Sequence, residues 1–528
     1  MMVAIVVIAG SVRKPTQPSF LTASTIMQRF FTIGAQAQDV FSAIQVPVTI
    51  CAFAAACLEK MCLAFMVATA FTPVARNVWK PCAERSFVMS HVFPRHAQNL
   101  PPKAVRGEGC YLYDENGKAY LDGSGGAAVS CLGHGDPDII KAVQAQAAAL
   151  SFAHTGFFTS EPAEALADLL VKYAPGNLDR VYFVSGGSEA VEAAIKLARQ
   201  YFLEIGQPQR HHLIARQQSY HGNTLGALSA GGNAWRRKHF EPLLVDVSHI
   251  APCYEYVFRM EGERAIEYGL RAAQALEDEI LRLGPDTVMA FIAEPVVGAT
   301  LGAVPAVKGY FKRIREICNQ YGVLLILDEV MCGMGRTGHL FAYAADGIVP
   351  DMVCLAKGLG AGYQPIGAMM CTDSIYQTIE EGSGFFQHGH TYLGHPVAAA
   401  AGLAVVSKII NQDLIERASK QGAILRYRLT EAFGKHPYIG DIRGRGLFMG
   451  LELVEDRNTK TSFVPDRKVA AKTKTAAFEV GLICYPMSGT RDGKSGDHVL
   501  LAPAFIINED QIDELVVKLQ MAIDKAVS

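Results

Sequence analysis

Five short apolar runs in this chain each break off at residues fitted for chemistry. VYFV (181–184) runs into SGGSEA, HLIAR (212–216) into QQSYHG, VMAFIA (288–293) into Glu294, VLLIL (323–327) into Asp328, and MVCLA (352–356) into Lys357. From Leu121 onward such runs alternate with helical patterns, the arrangement that builds a mostly parallel sheet covered by helices. In an open α/β sheet of that kind the ligand crevice lies outside the carboxyl ends of the strands. The five stops are therefore expected to converge on one site.

Lys357 opens a glycine-rich turn in DMVCLAKGLGAGYQPIGAM (351–369). A lysine at the end of an apolar run is either a stem reaching for the surface or an amine whose pKa burial has lowered, and so a nucleophile. Asp328, in LDEVMCGMGRTG (327–338), follows the most apolar run of the chain. A carboxylate there is costly to bury unless it meets a positive charge, and Val330, two residues on, shares its face as an apolar floor. In SGGSEAVEAAIKLARQYF (185–202), Gly186 and Gly187 permit a close backbone approach and Ser188 opens a helix. The free N–H groups of such a helix start can cradle a phosphate, although Ser188, Glu189 and Glu192 also read as an ordinary capped first turn. Tyr220, in SYHG (219–222), can stack on a flat heteroaromatic ring or rest as a half-buried loop tyrosine. His221 reads as a hydrogen-bonding residue behind it rather than as a ligand or base. A lysine for an aldehyde, a carboxylate for a protonated ring nitrogen and a cradle for a phosphate are together what pyridoxal phosphate requires.

At 528 residues the chain exceeds what a single core fills, so two or more domains are expected. A net charge of −2 offers no field for nucleic acid and suits a small neutral or anionic substrate. The 12 cysteines are scattered singly, which points to free thiols in a reducing compartment, and no metal site is expected. Residues 1–85 differ from the rest. No acidic residue precedes Asp39, and Arg13, Lys14 and Arg29 are the only charges before it, a pattern like that of an organellar transit peptide. The apolar stretch at 46–71 is broken by Glu59 and Lys60. Each costs roughly 2.5–3.5 kcal/mol at a bilayer centre, which argues against a membrane span. Residues 1–85 are read as a leader or extension outside the folded core, with a boundary near Ser86. The expected location is the cytoplasm, or the mitochondrion if the leader is a transit peptide.

From about Ser86 to the C-terminus the chain resembles the class III pyridoxal-phosphate-dependent aminotransferases of fold type I, which include the omega-transaminases. The resemblance rests on YLYDENGKAYLDGSGG, SGGSEAVEAAIKLAR, SYHGNTLGALS, AEPVVGA, LDEVMCGMGRTG, LAKGLGAGYQPIGA, HGHTYLGHPVAAAAGLAV, IRGRGLFMGLEL and LLAPAFIINEDQI, in that order. It implies pyridoxal 5′-phosphate as cofactor, held covalently by Lys357, which also carries the proton transfer. It implies that Asp328 keeps the ring nitrogen protonated, Gly187 and Ser188 cradle the phosphate, Tyr220 stacks on the ring with His221 behind it, Val330 packs on the opposite face, and Glu294 lies near Asp328. Thr391 resembles a residue that binds the phosphate from the neighbouring subunit, which implies a homodimer with shared active sites, or a dimer of such dimers. The implied reaction moves an amino group from an amine or omega-amino acid to a 2-oxo acid, pyruvate foremost, by a ping-pong mechanism. An aminomutase, racemase or decarboxylase would use the same cofactor set, and a non-catalytic relative would have lost part of it.

Two stretches depart from the pattern. GGSEA stands where many relatives have SGSEA. In GTRDGKSGDH (489–498), Arg491 and Lys494 lie near, but not at, the place where many amine–pyruvate transaminases carry an arginine for the substrate carboxylate. The carboxylate partner is left open. The small residues of GSGGAAVSCLGHG (123–135) either make room for a long or branched amine or only permit close backbone packing. The expected organisation is α/β: a large cofactor domain over 141–410, and a smaller α+β domain assembled from 86–140 and 411–528.

Overall fold

The residues of β1 (Leu178–Val184), β2 (His212–Arg216), β3 (Ser248–Ile250), β4 (Val288–Ala293), β5 (Leu324–Asp328), β6 (Met352–Leu355) and β7 (Gly367–Thr372) form one seven-stranded sheet. Its order is β1-β7-β6-β5-β4-β2-β3 in the computed structural model, which describes residues 90–98 and 100–528. Strands β4, β5 and β6 are buried along their whole length. Helices cover both faces of such a sheet, so its central strands read as unbroken apolar runs instead of alternating ones. Neighbouring strands run parallel except at β7, which is antiparallel to both β6 and β1.

Register brings the chemistry to one edge. Leu327 pairs with Ala293 on one side and Val353 on the other, so Glu294 and Asp328 leave the sheet at the same level, with Lys357 just beyond β6. The helix Gly187–Glu204 buries Ala190, Val191, Ala194, Leu197 and Ala198, the spacing of one helical face, and packs that face on β6 and β7. Its N-terminus is thereby aimed at the same edge.

The smaller part mixes both ends of the described chain. Strands Ala104–Glu108, Tyr111–Asp114 and Ala119–Asp122 form a meander, and Leu482–Ile483 joins it parallel to the third. A second four-stranded sheet holds Ile439–Arg445, Phe448–Leu453, Asp497–Leu501 and Tyr485–Ser488, accompanied by helices Leu414–Phe433 and Glu509–Val527. This is the expected α/β architecture with an α+β part drawn from both ends. Residues Pro101–Ser528 form one compact unit, and the limits at 140 and 410 are our proposal for where its parts meet. The proposed leader and the boundary near Ser86 lie outside the described residues. Among those described, no single helix is long and apolar enough to cross a membrane.

Candidate active site

Asp328, 4 % exposed, ends β5 with both oxygens in use. Oδ1 accepts from the Val330 backbone N–H at 3.0 Å and Oδ2 meets His221 Nδ1 at 2.7 Å. Behind His221 stands Glu294, its Oε2 4.0 Å from His221 Nε2 and 3.0 Å from Arg216 Nη2. Glu294 Oε1 accepts from the Tyr220 backbone N–H at 3.1 Å, which ties the SYHG loop to the end of β4. Burial pulls the His221 pKa down, but Glu294 and Asp328 together outweigh it and the net shift is upward. The charged imidazole is thereby favoured, with Nδ1 donating to Asp328 Oδ2. An anion braced in this way is ready to meet a further cation at the cleft.

Lys357, just beyond β6, is partly buried in a short 3-10 turn that Gly358 and Leu359 continue. Its φ of 49° lies in the left-handed region, a conformation a non-glycine residue adopts at a cost and one that clusters at functional sites. The turn is closely packed: a Cβ on Gly358 would stand 3.0 Å from Met334 Cβ, and one on Gly360 would stand 2.6 Å from the Gln364 carbonyl oxygen. Burial lowers the Lys357 pKa from 10.5 to about 8 although Asp328 works the other way. The amine is then protonated below pH 8 and increasingly neutral, and nucleophilic, above it. We expect the apoprotein to capture added aldehyde at Lys357 along a curve with its midpoint near pH 8, against 10.5 for a free lysine. Borohydride trapping across a pH series checks this, and a midpoint at the ordinary lysine value would refute the enclosure of the amine.

The helix after β1 begins at Gly187, and no side chain caps it. Reading Ser188 as a cap is thus corrected: its Oγ instead accepts from the Asn223 backbone N–H at 3.1 Å. Glu189 and Glu192 also look elsewhere, to Ser185 N and to Gly226 N and Ala227 N. The first-turn N–H groups stay available for an anion. A Cβ on Gly187 would lie 2.8 Å from Val330 Cγ1, so glycine is needed for these two residues to meet. Gly187, Ser188, Tyr220, His221, Glu294, Asp328, Val330 and Lys357 thus gather at one edge. Thr391 does not join them. It is exposed on a loop lining a separate cleft of about 670 Å³ with Phe158, Tyr182, Phe385 and His390.

Arg216 escaped the sequence reading. It is 1 % exposed and donates to the Glu294 backbone oxygen at 2.5 Å as well as to its carboxylate. Its signal was the one that marked Lys357: a charged residue closing an apolar strand.

An amine poised to lose its proton, a buried carboxylate braced for a positive charge and a helix start with unspent N–H groups fit pyridoxal 5′-phosphate. On this sheet they define a fold type I enzyme of that cofactor. The chain belongs to the class III aminotransferases, whose family model, Aminotransferase class-III, matches residues 92–523. It is 45% identical over 456 residues to an uncharacterized aminotransferase of Schizosaccharomyces pombe, covering 86% of this chain and 99% of that one. It is 34% identical over 433 residues to a putrescine–pyruvate aminotransferase of Pseudomonas aeruginosa, covering 80% and 91%. Among solved structures it resembles the omega-transaminase from Pseudomonas jessenii in complex with PMP, with a TM-score of 0.78 at 33% identity, over 83% of this chain and 96% of that one.

Proposed function

We propose that this aminotransferase takes the amino group of an amine or omega-amino acid and gives it to a 2-oxo acid, pyruvate foremost, in two half-reactions at one site. The observation that carries this is the pairing of Lys357, lowered to about pKa 8, with the His221-braced carboxylate of Asp328 on the same sheet edge. When bound, pyridoxal phosphate supplies an aldehyde carbon for the amine and a protonated ring that accepts the electron pair released at the substrate carbon. Lys357 Nζ would hold that aldehyde, and the same amine, its pKa lowered to about 8, would serve as the base that takes and returns the proton. Asp328 would meet the ring nitrogen and favour its protonated form, with His221 and the Val330 N–H holding the carboxylate in place and Glu294 standing behind His221. Gly187 and Ser188 offer backbone N–H groups to the phosphate, Tyr220 supplies one face of the ring slot and Val330 the other.

Two features bear on the substrate. Cys131, within the run of small residues at 123–135, approaches the Lys357 turn, its Sγ 3.6 Å from the Gly358 oxygen. Cys131 is buried there, and a Cβ on Gly123, Gly125, Gly133 or Gly135 would press on the backbone oxygens of Ile483, Ala502, Gly109 or Gly107, so the small residues serve close packing and leave the size of the amine open, while the similarity to a putrescine–pyruvate aminotransferase supports pyruvate as acceptor. A homodimer with shared sites accounts for Thr391. Its loop lies apart from its own chain's cluster and beside exposed Phe158, Phe385 and Tyr392, the kind of apolar surface that a second subunit covers. Mixing a Thr391→Asp chain with a Lys357→Ala chain should then restore activity, to about a quarter of wild type with random exchange, because one site in each mixed dimer is intact. Confirmed mixed dimers without recovery would remove Thr391 from the partner's site.

The reading is tested by mixing holoenzyme with single amines in the absence of any acceptor and following the cofactor absorbance. Conversion to the aminated form by at least one amine, reversed by pyruvate with release of alanine, is the expected result. Decarboxylation or racemisation without amino transfer would contradict it.

A further inference from the structure

A 2-oxo acid brings a carboxylate to this site, and a carboxylate held away from water calls for a cation. Most arginines near the site are committed. Arg216 is paired with Glu294, and fully buried Arg336 donates to the oxygens of Leu447 and Pro503. Arg491 is paired elsewhere: its Nε stands 3.3 Å from the buried carboxylate of Glu452, and its guanidinium lies 5.3 Å from the Tyr256 ring. Lys494 is exposed on the same turn.

Arg236 differs. It sits on the four-residue helix Ala234–Arg237, capped by Asn233, whose side chain accepts from the Arg236 backbone N–H and whose amide lies 2.7 Å from that of Gln218. That tether holds the helix beside the SYHG loop. The next residue, Arg237, donates to the Gly231 oxygen at 3.0 Å and is tied to the backbone. Arg236 pairs with no carboxylate among the described residues; its buried Nε has no hydrogen-bond partner, as is true of Arg216 and Arg491, but those two face Glu294 and Glu452. Its guanidinium lies over the Tyr220 ring, 4.6 Å from the centroid. A planar guanidinium resting against an aromatic ring keeps its in-plane N–H fork for a carboxylate.

We propose that Arg236 is the substrate-binding residue that receives the carboxylate of the 2-oxo acid, and of an omega-amino acid donor in its turn. The inference rests on the transaminase reading above and adds to it the acid specificity of the site. Its field also reaches Lys357, whose pKa it helps to lower.

Pyruvate and methyl pyruvate differ in the carboxylate charge, so the aminated enzyme can be offered each in single turnovers. In Arg236→Gln the preference for pyruvate over its ester should fall about 10- to 100-fold, the usual worth of a charge-assisted pair, and Arg236→Lys should recover part of it. Propionate binding to holoenzyme, followed by cofactor absorbance, needs no turnover and should weaken at least about tenfold in Arg236→Gln. Equal losses for acid and ester, or unaltered propionate binding, would overturn the assignment. Failure of every amine and oxo acid to react would end the transaminase reading instead, with the propionate titration still deciding Arg236.

Discussion

Replacing Lys357 with alanine should lower turnover by about 10,000-fold or more while leaving a folded protein. The loss is large because the amine has two tasks, holding the cofactor aldehyde and moving the proton, and the residues around it supply no substitute. Asp328 and His221 are bound to one another, and Glu294 is held by Arg216. The fold should tolerate the change. Alanine meets the φ of 49° no worse than lysine does, and removing the amine relieves the burial that depresses its pKa. Thermal unfolding of the apoprotein should therefore be unchanged or slightly later. A variant that keeps measurable turnover without added amine would show that the nucleophile lies elsewhere.

The second large effect is expected from Asp328→Asn. Asparagine keeps the shape and can still accept from the Val330 N–H, but it brings no charge. The ring nitrogen then loses the partner that favours its proton, and the substrate carbon loses its electron sink. The proton-transfer step should slow by about 100- to 1,000-fold, the scale of removing one preorganised electrostatic group. His221 changes with it. Two carboxylates raise its pKa against burial, and with Asp328 gone its charged form is less favoured, although Glu294 still favours it. Cofactor should still attach to Lys357, which separates this variant from the first. A half-reaction rate equal to wild type would mean that another group partners the nitrogen.

Much of this edge was legible because burying charge is costly. A charged residue that closes an apolar strand announces a partner, and Glu294, Asp328 and Lys357 all do so. Arg216 obeys the same rule but was hidden inside HLIAR, where the strand was read through to its last residue. Two strands of the sheet were harder to see. Ser248–Ile250 is three residues long, too short to carry a pattern, and Gly367–Thr372 follows the lysine turn as an antiparallel return whose carboxyl end lies at the edge opposite the site. Ser188 looked like a cap because serine usually is one at a helix start; only the tertiary contact with Asn223 releases it. Arg236 and Arg237 are adjacent and chemically identical, and only the folded chain shows that one is spent on backbone carbonyls while the other lies against Tyr220.

The central claim is that Lys357 holds the cofactor. Holoenzyme reduced with borohydride, digested and analysed by mass spectrometry tests it most directly. The expected result is a single phosphopyridoxyl mass addition on the peptide spanning the Lys357 turn, absent after pretreatment with an amine donor that converts the cofactor. An addition at a different lysine, or none on any peptide of enzyme that is active and loaded with cofactor, would contradict it.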